Sequence, residues 1–250
     1  MHLIIVGCEY SGSTTLSQAF GEWGEANMEG GRWGPNEYHD HWKLPHFSNF
    51  SPPAPEDVAS VVAGYPDAKD GDYTRTGLSH EEQAQVMALS PKLKEMVQRY
   101  HLQYHLHPSF YKQDDHIMVG AHFDEGILGP IYFDYGGDGQ YADRRASNRQ
   151  YERQILELGP DTILVLITAS PDAIRQRMKD NPHLNGALQD ADVERVLERY
   201  EQEYADSLIK HKTRLDTSSA TIQESTDEII EKITALMTDK DRQRIKGGSA

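Results

Sequence analysis

Gly7-Cys8-Glu9-Tyr10-Ser11-Gly12-Ser13-Thr14-Thr15 decides how this chain of 250 residues is read. It follows Leu3-Ile4-Ile5-Val6, an apolar, β-branched run of the kind a strand shows when a parallel sheet buries both its faces. Beyond it, Leu16, Ala19, Phe20 and Trp23 recur at helical spacing and predict a helix that fades near Gly30 and Gly31. In a strand, glycine loop, helix sequence, backbone N–H groups curl around an anion at the helix N-terminus, where unpaired donors and the macrodipole favour negative charge. Gly7 and Gly12 occupy the glycine positions of the G-x-x-x-x-G-K-[ST] pattern, and Thr14 stands where a hydroxyl would hold Mg²⁺. The residue at the lysine position is Ser13. Losing one preorganised charge donor to a transferring phosphoryl group costs roughly 3 kcal/mol, so another cation substitutes or catalysis is weak. The phosphate-contacting residues expected are Gly7, Tyr10, Ser11, Gly12, Ser13, Thr14 and Thr15.

The rest of the chain alternates strand and helix. A weak second strand lies within 31–43 and ends near His39-Asp40-His41-Trp42. Residues 44–78, rich in proline, glycine, aspartate and serine, read as a long surface insertion. Ser79-His80-Glu81-Glu82 is a capping box and Ser90-Pro91 an N-cap with proline at the first helical position, predicting helices over 80–89 and 91–107. A strand at 116–121 runs into His122-Phe123-Asp124-Glu125, and a glycine-rich stretch from Gly126 to Gly139 separates it from a helix over 141–158. Thr162 to Thr168 is the clearest strand, with a helix capped by Ser170-Pro171-Asp172 after it. A long charged helix over 190–211 carries Val193, Val196, Leu197, Tyr200, Tyr204 and Leu208 on one stripe. Leu215 to Ser219 ends a short fifth strand, Ile222 to Met237 forms the last helix, and the tail from Asp239 is polar. The fold class expected is α/β, a three-layer sandwich around a five-stranded parallel sheet. It is expected as one domain over 1–238: 44–112 form an insertion and helical acceptor region, 175–190 a lid-like segment, and 239–250 the tail.

Composition narrows the chemistry. One cysteine, Cys8, excludes an internal disulfide and a thiolate zinc cluster, in keeping with a reducing cytoplasm. The longest apolar run, Ile163 to Ile167, is about a third of a membrane span, and the N-terminus has no basic segment or cleavage site that would direct export. A formal charge of −15, from 40 acidic and 25 basic residues, disfavours nucleic acid and favours a small phosphorylated ligand gripped by a few local arginines.

With the loop, the later strands and the basic segment in place, the chain resembles the P-loop nucleoside and nucleotide kinases, in particular the thymidylate-kinase and deoxynucleoside-kinase branch, over about 1–43 and 115–237. Those families place an acidic residue at the end of the second strand, and Asp40-His41-Trp42 is similar in outline. They carry an acidic–arginine pair after the third strand; Asp124 matches in type, but Glu125 stands where arginine would be. Ser170 to Arg177 looks like their strand-to-lid helix, and Asp216-Thr217-Ser218 falls at their adenine-contacting loop. The resemblance implies ATP and Mg²⁺ as cofactors and makes Arg144, Arg145 and Arg149 candidates for phosphate or acceptor contacts, with Trp42 beside them.

Residue chemistry adds roles. Asp40 is a candidate general base for an acceptor hydroxyl. Asp124 and Glu125, with Thr14, are candidate Mg²⁺ holders, since that ion takes one or two carboxylates plus phosphate oxygens. Arg175, Arg177 and Lys179 form a basic cluster that the resemblance places over the transferred phosphoryl group, with Arg175 and Arg177 as catalytic residues; a solvated helix end is the plainer alternative. His101 and His105, and His39 and His41 around Asp40, have metal-ligand spacing, though His101, Tyr104, His105 and Phe110 read equally as an aromatic surface or core. Three functions follow: an ATP-dependent phosphotransferase acting on a nucleoside, a nucleotide or a related small hydroxyl acceptor; a nucleotide-binding regulatory protein whose chemistry decayed with the lysine; and, disfavoured by charge, a kinase acting on a base or end in DNA. Expected partners are a nucleotide and a small acceptor, with a homodimer left open and no membrane.

Overall fold

The structure is a computed structural model that describes residues 1–30, 38–40, 44, 80–108, 110–112, 115–183 and 186–246. Trp42, His41, Ser79, most of the 44–78 insertion and the terminal Gly247 to Ala250 lie outside the described residues.

Strand β1 (His2–Gly7) is buried along its whole length. It pairs in parallel with β3 (His116–Val119) on one side and β4 (Ile163–Thr168) on the other; β2 (Tyr38–Asp40) and β5 (His211–Asp216) form the edges, giving the order β2-β3-β1-β4-β5. All pairings are parallel, so helices must return the chain from one end of the sheet to the other. Because side chains alternate along a strand, β1 feeds two cores. Ile4 and Val6 pack with Met118, Phe123, Leu164 and Tyr200, and Leu3 and Ile5 pack with Phe20, Ile117, Val165 and Ile229. Helices α1 (Ser13–Asn27) and α8 (Ile222–Leu236) cover the second face. Helices α4 (Ala121–Leu128), α5 (Arg144–Leu158) and α7 (Val193–Asp206) cover the first. The remaining helices are α2 (His80–Ala88), α3 (Pro91–Tyr104), α6 (Pro171–Asp180) and α9 (Asp239–Gln243).

Three expectations need correction. Residues 121–128 form α4 rather than continuing a strand into a glycine loop. Gly120, at φ 77°, turns the chain straight from β3 into the helix, and Gly126 lies where a Cβ would meet Asn148 Nδ2 at 2.3 Å. Helix α7 ends at Asp206, so the exposed Leu208 is not on its stripe. Finally, the polar segment after Asp239 folds back as α9: Arg244 and the Met1 ammonium both pair with buried Asp115, whose carboxyl they pull below its usual range against the cost of burial. No helix among the described residues is long and apolar enough to cross a membrane.

Candidate active site

The glycine loop joins the C-terminal end of β1 to α1, at the end of the sheet where ligands of open α/β sheets bind. Its two glycines are needed for different reasons. A Cβ on Gly7 would meet the Ile167 carbonyl oxygen at 2.4 Å and Ser11 Oγ at 2.5 Å, so no side chain fits between the loop and β4. Gly12 is the N-cap of α1 at φ 95°, a left-handed conformation, and a Cβ built there meets nothing within 4 Å. Ser11 Oγ is buried without a hydrogen-bond partner among the described residues. These features suit an anion held by backbone and hydroxyl groups. Ser13 is buried, while Thr14 and Thr15 are exposed on the first turn of α1.

Tyr10, inside the loop, has φ 66°, a conformation that costs a non-glycine residue about 1 kcal/mol and persists only where its surroundings hold it. Two sets of contacts do so. On one side, Arg177 of α6 donates through one terminal nitrogen to the Tyr10 carbonyl oxygen (2.8 Å) and Thr217 Oγ1 (3.0 Å), and through the other to the Thr217 carbonyl oxygen (2.5 Å). The Thr217 hydroxyl lies 2.8 Å from the Ser11 carbonyl oxygen, and the Thr217 N–H donates to Thr168. On the other side, the Tyr10 hydroxyl accepts from the His183 N–H at 2.8 Å, and the two rings stack at 4.1 Å. Glu9 accepts from the N–H groups of Ala187 and Leu188 at 3.2 Å each. The segment that reads as a lid is thus fastened to the loop by side chains of the loop itself.

The candidate carboxylates are placed differently from one another. The backbone of Asp40 ends β2 at the loop end of the sheet, opposite Val119. Asp124, buried on α4, accepts from the Tyr200 hydroxyl at 2.5 Å; burial foremost, and the neighbouring Asp124, hold that phenol well above its ordinary pKa and keep it a donor. Glu125 and Asp124 have different partners. Glu125 accepts from Arg144 Nε at 2.8 Å, and Arg144 also donates to Glu95 of α3 at 2.8 Å. Burial pushes the Glu125 carboxyl up to about 7 despite Arg144, and its Oε1 has no hydrogen-bond partner among the described residues. No group of three or more His, Cys, Asp or Glu that would hold a metal occurs among the described residues.

The other arginines do not converge. Arg175 binds Glu194 and Asp190, bracing the two ends of the lid-like segment, and Lys179 is exposed on the last turn of α6. Arg145 is exposed and paired with Asp138 and Asp143; Arg149 is paired with Glu203. Arg144 alone of the three acceptor candidates lies buried between α3 and α4. Asp216 accepts from the Ser218 N–H at 2.8 Å, shaping the turn that presents Thr217. Sequence reasoning passed over Glu9, Thr217, Tyr200 and Glu95. Glu9 lay inside the quoted loop and Thr217 beside Asp216; nothing local marks Tyr200 or Glu95.

Three solved structures align along nearly the whole chain. The YorR protein of Bacillus subtilis, in complex with phosphorylated GDP, does so at TM-score 0.51 and 13% identity, over 92% of this chain and 95% of that one. Deoxyadenosine kinase from M. mycoides with bound dATP aligns at TM-score 0.46 and 11% identity, over 93% and 99%. An unliganded sugar kinase from Janibacter sp. aligns at 0.43 and 13%, over 95% and 98%. No family model matches the chain, and no curated protein matches it. At 13% identity the alignment with the YorR protein shows a shared fold, a parallel α/β sheet in the order β2-β3-β1-β4-β5 with the glycine loop after its central strand.

Proposed function

We propose that this chain is an ATP-dependent phosphotransferase that acts on the hydroxyl or phosphate of a nucleoside, a nucleotide or a related small acceptor. The observation that carries the proposal is the loop. A left-handed Gly12 with open space before it and a buried, unpartnered Ser11 Oγ cap α1 where the parallel strands end. When bound, ATP supplies the phosphoryl group and Mg²⁺ neutralises its charge. The chain's own residues position and exclude water. Backbone N–H groups of the loop would hold the phosphates, Thr14 and Asp124 would hold the Mg²⁺, and His183, Ala187 and Leu188 lie on the loop through Tyr10 and Glu9. Asp40, at the end of β2, takes the proton from the acceptor hydroxyl. The buried Glu95–Arg144–Glu125 cluster, where α3 meets α4, supports reading 44–112 as the acceptor side.

Ser13 favours one second reading, a nucleotide-binding protein that has lost phosphoryl transfer with its lysine. ATP turnover measured across a panel of nucleosides and mononucleotides separates the two. Transfer to a member of the panel supports the phosphotransferase, and ADP binding without transfer to any of them supports the second reading.

A further inference from the structure

We propose that Thr217 and Arg177 form a positioning bracket that presets the phosphate loop, and that Arg177 serves the loop's backbone rather than acting as a cation on the phosphates. Two of the loop's carbonyl groups are held from outside the loop. The Tyr10 carbonyl is held by Arg177 and the Ser11 carbonyl lies on the Thr217 hydroxyl, so two successive peptide planes are pinned from outside the loop. In a planar trans peptide the N–H points away from its carbonyl. Fixing the Tyr10 carbonyl therefore directs the Ser11 N–H to the other side, where it donates to Cys8 at 3.0 Å. Fixing the Ser11 carbonyl turns the Gly12 N–H away from Thr217, and that group stands at the start of α1, where unpaired N–H donors suit an anion.

Thr217 is itself anchored. Its N–H and hydroxyl lie 2.9 Å and 3.2 Å from the Thr168 carbonyl at the end of β4, its carbonyl accepts from Arg177, and Ser218 ties the same turn to the N–H of Ser170. The bracket thus links β4, α6 and the turn after β5 to a loop 206 positions away in sequence. Both terminal nitrogens of Arg177 are engaged on protein oxygens. Such a bracket accounts for a loop that keeps a left-handed Tyr10 and lacks a lysine: the donors are oriented before the anion arrives, which is the form of electrostatic stabilisation that needs no reorganisation.

The inference concerns the loop in the free protein and extends to ADP only through the nucleotide reading above, and the test keeps the two apart. Amide hydrogen exchange of Ser11 in the ligand-free protein is compared for wild type, Thr217→Val, Thr217→Ser and Arg177→Gln, with the amides of β4 as the control for folding. Exchange about tenfold faster is expected in Thr217→Val and Arg177→Gln, the size of one lost hydrogen bond, with wild-type protection in Thr217→Ser. ADP affinity should fall about tenfold in both damaged variants, with the double variant no worse than either single one and the salt dependence of binding unchanged. Unaltered Ser11 exchange in both variants overturns the bracket. So does an Arg177→Gln that alone weakens ADP and flattens its salt dependence while Thr217→Val stays as wild type, because Arg177 would then be acting as a phosphate cation. If wild type binds no ADP, the nucleotide reading fails while Ser11 exchange still decides the bracket.

Discussion

Tyr10 and His183 lie 173 positions apart, yet their rings stack at 4.1 Å and the His183 N–H donates to the Tyr10 hydroxyl at 2.8 Å. A residue of the glycine loop is therefore, with Glu9, one of two side chains that fasten His183, Ala187 and Leu188 to the loop.

Removing the Tyr10 side chain should loosen His183, Ala187 and Leu188 from the loop without unfolding the sheet. In Tyr10→Ala the stack and the hydrogen bond are lost, and the amides of Ala187 and Leu188, now held through Glu9 alone, should exchange about tenfold faster. Unchanged exchange at both amides would show that these residues are fastened elsewhere.

Glu125 should give the protein an uncommon pH dependence. Its carboxyl titrates near 7 in the folded state against 4.5 when unfolded, because burial outweighs the attraction of an Arg144 already shared with Glu95. Between those values the folded state binds more protons than the unfolded one. This contribution to stability therefore falls as pH rises from about 4.5 to about 7, by at most about 3 kcal/mol, and is level above. Urea unfolding at pH 5 and pH 8 should show the loss in wild type and a smaller loss in Glu125→Gln. Equal pH dependence in the two proteins would remove Glu125 as its source.

Ser13→Lys tests how much the absent lysine matters. If the bracketed loop and the lid already supply charge stabilisation, the variant should raise turnover of a working acceptor by no more than about tenfold; a preorganised donor where none had substituted would be worth about a hundredfold or more. Steady-state rates with matched nucleotide affinities distinguish these outcomes, and phosphotransfer seen only in the variant would identify the natural protein as a nucleotide binder.

Local signals explain what could be read from the sequence. The loop from Gly7 to Gly12, the two-faced run of β1 and the strand at Ile163–Thr168 are specified by neighbours within a few residues, and each lies where its pattern placed it. Helix α4 was hidden because Gly126 and Gly129 read as loop punctuation and Gly120 as the end of a strand, whereas tertiary packing against Asn148 makes Gly126 a helical contact. Strand β5 ends at Leu215-Asp216, where its pattern placed it, but its start at His211 was not marked because an edge strand need not be apolar on both faces. At the site, Thr217 meets Ser11, Glu9 meets Leu188 and Tyr200 meets Asp124 across separations of 206, 179 and 76 residues, and no spacing rule along one chain encodes such meetings. The arginines show the converse: Arg175 and Arg177 are close in sequence, but α6 sends one toward α7 and the other toward the loop.

The central claim is that the Gly7–Thr14 loop holds nucleotide phosphate without its lysine, and calorimetric titration of ADP with Mg²⁺ into wild type and Gly12→Val tests it most directly. The left-handed backbone at Gly12 is strained for valine, and the added side chain enters the open space before α1. The account predicts binding to wild type and at least about 100-fold weaker binding to a variant whose far-ultraviolet spectrum is unchanged, a loss of about 2.7 kcal/mol or more. Equal affinity in the two proteins, or no binding by wild type, would contradict it.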